Sequence, residues 1–568
     1  MADSQAGPNR NLRRVVQELL TSGCQLDRSA FEHIKTLPDT ELETVVKVVL
    51  RKVKSGPLPN GILTKKLVIE FTTVEKLEPK QTATPGAKLS GPIVAPVSPP
   101  AAKVITPVTP SVSLQEPQLP QPTPKSPAAT PVAPTIPLSV APTHPSKSIE
   151  SRIEIIKNFD TEDRTEGGIE GFSKYFRDRF QKQTQLFKVR PDTSDAGTIS
   201  DALKANPNQK IKFVAMIMEK RARGERLFLD VDDLESKATV MVSEKPLLDW
   251  AQSIPPDQVI CVSGVKARGD LIVAKEITLP DIPEHRPNFA DEEVWAVLLS
   301  DLHVGSNKFL PDALTRVFDW LSGRVGSPEQ RHIAERVKYV IVCGDMVDGI
   351  GVYPRQEKEL AIPDLYDQYK AAAKYFAMIP DSMDVIMLPG NHDAVRQALP
   401  QPPIPKSFSE PILESRAVTS LSNPTEFTLH GVRMFEHHGR SLDDVIAGVP
   451  NLNYYVPEKA MKLQLQCRHV ASEYGNRTSI APWENDRLVI ENVPDVFQSG
   501  HIHIAKCENY RGTQIVNSGA WQAQTDFQKR LNLVPTPGIL MAVNLQTVKI
   551  KQFNFLQKDD EVAGKAGV

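Results

Sequence analysis

Three apolar runs in the second half of the chain stop on the same kind of residue. VWAVLLS, VKYVIVC and MDVIMLP begin at Val294, Val337 and Met383 and are dominated by valine, isoleucine and leucine. Such near-continuous runs suit strands buried on both faces, as in a sheet covered by helices. Helical stretches such as DALTRVFDWLSG and DLYDQYKAAAKYFAMI alternate with them, so the expected class is α/β. Each run then ends in ligand-type side chains. LLSDLHVGS brings Asp301 and His303, IVCGDMVD brings Asp345 and Asp348, and MLPGNHDAV brings Asn391, His392 and Asp393. Two later segments repeat the pattern: MFEHHGRSLDD with His437 and His438, and VFQSGHIHIAK with His501 and His503. Ligands of open α/β sheets collect beyond the carboxyl ends of the strands, so five strand ends are expected to converge on one place.

Imidazole nitrogens, carboxylates and an amide oxygen without thiolates suit Mn²⁺, Fe or Zn²⁺, with Mg²⁺ less well matched to so many histidines. Seven candidate ligands exceed the needs of one tetrahedral ion and fit two. Ions about 3.5–4 Å apart need a bridging group, and a carboxylate on a central strand such as Asp345 is the natural one. Two such ions would activate water for in-line attack on phosphorus. The glycines before Asp345, Asn391 and His501 allow close backbone approach.

The rest of the chain is organised differently. Residues 1–75 carry helical periodicity, with Leu12, Val15, Val16, Leu19 and Leu20 on one face, then FEHIKTL and TELETVVKVVLRKV, and a fourth element near ILTKKLVIEF. A packing or docking module is expected there. Between Leu77 and Lys147 stand eighteen prolines and no Phe, Trp or Tyr, too little apolar area to offset chain entropy. Residues 76–148 are therefore expected to be a disordered linker. Residues 149–288 hold a connecting segment and, over about 205–285, several short strands with glycine turns, the pattern of a small oligonucleotide-binding barrel. Its basic turn, Lys220, Arg221 and Arg223, suits a solvated hairpin tip better than a phosphate contact.

Composition excludes some classes. With 67 basic and 69 acidic residues the chain is no globally basic nucleic-acid binder. No apolar run is long enough for a membrane span, and MADSQAGPNRNLRR lacks the apolar core of a secretory signal. Five scattered cysteines fit a reducing compartment, and the expected location is cytoplasmic.

DLH, GDMVD, GNHD, HGR and GHIH, over residues 289–568, resemble the five motifs of calcineurin-like metallophosphoesterases. LLSDLHVGSNKF, GDMVDGIGVYPRQEKEL, LPGNHDAVRQALPQP, HGRSLDDVI and NSGAWQAQT more closely resemble the small subunits of archaeal family-D DNA polymerases. That resemblance implies a calcineurin-like β-sandwich flanked by helices, preceded by an oligonucleotide-binding barrel and a small helical domain. It implies a 3′→5′ proofreading exonuclease with two divalent ions, Mn²⁺ first and Mg²⁺, Fe or Zn²⁺ as alternatives. The implied partners are a large catalytic polymerase subunit, DNA 3′ ends, and a sliding clamp or primase, with no membrane.

Carried over residue by residue, the pattern assigns one ion to Asp301, His303, Asp345 and His503. The second goes to Asp345, Asn391, His438 and His501. His438 is taken over His437 because the motif's ligand directly precedes glycine. His392 would stand beside the scissile phosphate as proton donor to the leaving oxygen. Arg440 would reach a phosphate or pair with Asp443 or Asp444. Asp348 and Asp393 would orient ligands. A repair nuclease or other DNA or RNA phosphodiesterase, a phosphoprotein phosphatase, and a scaffold subunit without catalysis are the competing functions. The scaffold reading fits poorly with a chain in which every ligand position is filled.

Overall fold

The computed structural model describes residues 25–26, 28–35, 49, 62–63, 145–159 and 167–556. The expected helix around Leu12–Leu20, nearly all of the one after Thr40, and the proline-rich linker up to residue 144 lie outside them. The chain divides into two compact units, Met1–Pro131 and Val132–Val568. In the first, FEHIK falls in the helix Arg28–Lys35, with Ala30 and Ile34 buried. The element expected near Ile62 is a strand there, Ile62–Leu63, pairing in parallel with Gln25–Leu26.

Among the described residues of the second unit the first element is Pro145–Lys147, which falls within the expected linker. Ser146 anchors it. It is fully buried, its N–H bonds the Glu335 carbonyl, and its hydroxyl meets that of Ser382 at 3.1 Å. A strand, β1 (Ile153–Lys157), and a long helix, Gly168–Lys188, follow.

Five strands then close a barrel: β2 (Lys210–Arg223), β3 (Arg226–Asp232), β4 (Lys237–Val242), β5 (Val259–Lys266) and β6 (Leu271–Thr278), in the order β2-β3-β4-β6-β5. Alternation decides which side faces in. Leu227, Leu229 and Val231 of β3 are buried, and the intervening residues are not. At the hairpin, Lys220 donates to the Gln252 and Ile254 carbonyls and Arg221 pairs with Asp230. Two of the three basic side chains are thus held by the barrel itself. The barrel's apolar core continues into Leu463 and Cys467 of the helix Pro457–Cys467.

Two six-stranded sheets make up the remainder. The first contains β7 (Trp295–Leu299), β8 (Val337–Cys343), β9 (Asp384–Leu388) and β10 (Thr419–Ser420), all parallel. The second contains β11 (Thr425–Leu429), β12 (Val432–Glu436), β13 (Val496–Ser499), β14 (Lys506–Tyr510) and β15 (Thr513–Asn517), with β1 at its edge. β16 (Ile539–Asn544) and β17 (Lys549–Asn554) return antiparallel to extend the first sheet beside β7. The orders are β10-β9-β8-β7-β16-β17 and β14-β15-β13-β12-β11-β1.

The sheets pack face to face over Leu298, Tyr339, Ile341, Phe427, Met434 and Val496. Val297, Val340 and Val342 point the other way, into Leu314, Phe318 and Tyr369 of the helices Pro311–Leu321 and Leu365–Phe376. On the far side Phe435, Phe497 and Ile515 meet Met461, Leu465 and Tyr175. The layers therefore run helix, sheet, sheet, helix, and every residue of β7 and β8 is buried, as their unbroken apolar runs require. Among the described residues no helix is long and apolar enough to cross a membrane.

Candidate metal centre

The ligand-type residues sit where parallel strands end. β7, β8 and β9 lead into Asp301 and His303, Asp345, and Asn391; β12 and β13 lead into His438 and into His501 and His503. Both sheets thus contribute. Five of these residues have left-handed backbone: φ is 52° at Asp301, 52° at His303, 53° at Asp345, 66° at His501 and 61° at His503. That region costs a non-glycine residue on the order of 1 kcal/mol or more and persists only where neighbours over-determine it. Backbone bonds do so here: Asp301 N–H to the Gly344 carbonyl at 3.0 Å and His303 N–H to the Asp345 carbonyl at 3.1 Å. His501 N–H donates to Asp301 Oδ2 at 2.9 Å. Two glycines permit this crowding. A Cβ on Gly390 would collide with the Asp345 carboxylate and lie 2.6 Å from its amide nitrogen, and one on Gly344 would strike His438 and Gly390.

Among the described residues three donor groups stand out; one joins His303 to Asp348 and His392, and the other two hold most of the expected ligands. Asp301, His303 and His503 form one, with His303 and His503 Nε2 atoms 3.0 Å apart and His503 Nε2 3.4 Å from Asp301 Oδ1. Asp345, His438 and His501 form the other, and Asn391 Oδ1 lies 3.2 Å from His438 Nε2. Asp345 stands between them, its Oδ2 3.2 Å from His438 Nε2 and 3.8 Å from His303 Nε2.

The ring tautomers test whether this set suits cations. His438 Nδ1 meets the Cys343 carbonyl at 2.9 Å, so it carries the hydrogen. Its Nε2 lone pair then faces two more acceptors, Asp345 Oδ2 and Asn391 Oδ1, an arrangement that only positive charge relieves. His303 repeats it: Nδ1 meets Asp348 Oδ1 at 3.1 Å, leaving Nε2 for the cluster. Burial opposes charge on both rings, yet Asp345 pushes His438 up to about 9 and Asp301 pushes His303 up to about 10. The carboxylates are asking for cations, and the donor set fits them.

Surrounding groups fix these rings. Asp348 Oδ1 accepts from Gln522 Nε2 at 2.8 Å, His501 Nε2 lies 3.3 Å from Asp443 Oδ2, and Gln528 Nε2 is 3.0 Å from His503 Nδ1. Gln522 and Gln528 carry no motif signal beyond lying in or just after NSGAWQAQT, and sequence reasoning gave them no role. Asp393 accepts the N–H groups of Asp345 and Gly390 at 2.8 and 2.9 Å, a backbone brace. Burial, and then the Asp345 charge, push its carboxyl up to about 7. Of the histidine pair, His437 turns away to Asn423 Oδ1 at 2.9 Å and Ser441 Oγ at 3.0 Å. Burial drives its pKa down to about 3. Arg440 pairs with Asp443 at the rim. His392 N–H donates to Asp345 Oδ1 at 2.8 Å, and its Nδ1 meets the Asp348 carbonyl at 2.6 Å. A cavity of about 310 Å³ opens over these residues.

Residues 296–506 match the family model for the B subunit of DNA polymerases alpha and epsilon. A DNA polymerase II small subunit of Archaeoglobus fulgidus is 39% identical over 386 residues, 68% of this chain and 77% of that protein.

The chain belongs to the family of archaeal DNA polymerase II small subunits.

The family member of Pyrococcus furiosus is 38% identical over 67% of this chain, and the match spans 63% of that relative's own length. A solved archaeal phosphodiesterase aligns with 46% of the chain at 14% identity, with a TM-score of 0.24, too low to bear on the fold.

Proposed function

We propose that this family member is a nuclease subunit of a replicative DNA polymerase, removing 3′-terminal nucleotides through a two-ion centre on a calcineurin-like scaffold. Its partner is a separate large subunit that carries polymerisation, and its substrate is a DNA 3′ end. One observation carries the reading: Asp345, grouped with His438 and His501, brings its Oδ2 within 3.8 Å of His303 in the neighbouring donor group, beside a cavity that Asp345, His303, His501 and His503 help to line. Asp301, His303 and His503 would hold one ion, and Asn391, His438 and His501 the other, with Asp345 common to both. Divalent ions in such a pair polarise a phosphodiester and activate water for in-line displacement, and Mn²⁺ suits the mixed nitrogen and oxygen donors.

The chain's own groups supply the rest. His392 has Nδ1 committed to the Asp348 carbonyl, so Nε2 is the atom that exchanges a proton. Burial keeps its pKa below the usual histidine value, and a bound phosphodiester's negative charge favours protonation of Nε2. From there it donates to the departing 3′-oxygen. Arg440, steadied by Asp443, and Arg477 give the cavity a cationic rim for the phosphate chain.

Digestion of 3′-labelled single strands and of matched and mismatched primer–templates in Mn²⁺, alone and with the large subunit, tests this. Mononucleotides should leave from the 3′ end, faster from a mismatched terminus because frayed ends cost less to unpair. Asp345→Ala should lose both metal and hydrolysis. A chain that binds metal yet cleaves nothing under either condition would be a scaffold.

A further inference from the structure

The donor groups form only the floor of the cavity; one wall is aromatic and apolar, built from Tyr353, Phe527, Val352, Leu531 and Leu533. Tyr353 and Phe527 lie with ring centroids 5.3 Å apart at 30°, and Tyr353 is 6.2 Å from the His392 ring. No protein group covers this wall fully: Phe527 is 38% and Leu531 57% exposed. The Tyr353 hydroxyl, by contrast, is shielded from solvent and has no hydrogen-bond partner among the described residues.

Both rings are also tied to the metal-centre histidines. The Tyr353 loop is gripped by Gln356, whose Nε2 donates to the Asp348 carbonyl at 2.6 Å and whose Oε1 accepts Val352 N–H at 2.8 Å. Asp348 in turn holds His303. Phe527 is next to Gln528, which touches His503.

We infer that this wall stacks the base of the 3′-terminal nucleotide, so the site accepts an unpaired end. The inference rests on reading the floor as a phosphodiester site and names which part of the substrate meets which wall. At about 310 Å³ the cavity is at the small end of ligand pockets, suited to one splayed nucleotide and not to a base pair. Every base presents a π-face, so the selection is for exposure of the base and not for its identity.

The test uses the full chain with divalent ions chelated, so that binding is read without hydrolysis. A single strand ending in 2-aminopurine at its 3′ terminus should be quenched on binding. The same strand ending in an abasic residue should bind about ten- to a hundredfold more weakly. Tyr353→Ala and Phe527→Ala should each abolish the quench and bring the two strands to equal affinity. Tyr353→Phe, which keeps the ring and the fold, should retain both the quench and the preference for the strand with a terminal base. An unchanged quench in both alanine variants, or equal affinity of the two strands for the unaltered chain, would overturn the inference. Failure of the nuclease reading shows separately, as absence of product from metal-loaded protein whose quench is intact.

Discussion

Arg179 donates from Nε to Asp486 Oδ2 at 2.7 Å, with the two side chains only 1% and 0% exposed. The pair is fully dressed. Arg179 also reaches the Ser472 carbonyl at 2.6 Å and the Tyr175 hydroxyl at 2.9 Å, and Asp486 accepts Leu488 N–H at 2.9 Å. It bolts the helix Gly168–Lys188 to the loops outside the second sheet. Removing one member leaves the other charged and buried, typically a loss of about 3–5 kcal/mol. Arg179→Met should therefore lower the urea midpoint sharply, and Arg179→Met with Asp486→Leu should recover part of the loss. A single-variant loss below about 1 kcal/mol would show that water reaches the pair.

His469 shares that carboxylate, with Nε2 2.8 Å from Asp486 Oδ2, while its Nδ1 accepts Ala471 N–H at 3.0 Å. Both ring nitrogens are satisfied in the neutral form, so protonation at Nδ1 would break a bond. Burial, reinforced by Arg179, drives the pKa down to about 4 against 6.5 for a free histidine. Between those values the unfolded chain carries the proton and the folded chain does not, so stability falls as pH drops from 6.5 toward 4. His469→Gln should reduce the slope of unfolding free energy against pH in that window by up to one proton, about 1.4 kcal/mol per pH unit. An unchanged slope in equilibrium urea titrations would assign the acid sensitivity elsewhere.

His392→Ala should keep metal content and DNA affinity near those of the unaltered chain while turnover falls by about 10²–10⁴-fold, the usual worth of a positioned acid. The deficit should shrink on a nitrophenyl ester, whose leaving group needs no proton. Metal analysis decides the assignment. If this variant loses metal as completely as Asp345→Ala, His392 is a ligand and not a proton donor.

The strands that carry most donors were legible because VKYVIVC and its neighbours are buried on both faces and so show little polar interruption, Lys338 and the strand-starting Asp384 apart. The resemblance implied a sandwich, but which strand belongs to which sheet was not legible. β8 and β12 end in similar polar clusters, and nothing local says which strands share hydrogen bonds. β1 was hidden for another reason: it is an edge strand with Ile155 and Ile156 at 47% and 41% exposure, so its pattern lacks an inside and an outside. Motif spacing pointed to the groups on the cavity floor. Gln528 and Phe527 follow NSGAWQAQT by only two or three residues, but neither is a ligand-type position of the motifs, and they reach the site because the chain after β15 returns to it. Tyr353 stands in GIGVYPRQ, where the letters give no hint that its hydroxyl has no partner.

Each proposed ion draws on both halves of the sandwich: Asp301 and His303 from the first sheet with His503 from the second, and Asp345 and Asn391 with His438 and His501. Held this way, the ions would act as rivets through a seam. Sliding one sheet past the other would open the centre while every strand kept its own ladder of hydrogen bonds. Metal affinity is then also mechanical cohesion, because whatever binds only the aligned sandwich holds it aligned. The protein would have no cutting edge except when its two leaves are in register.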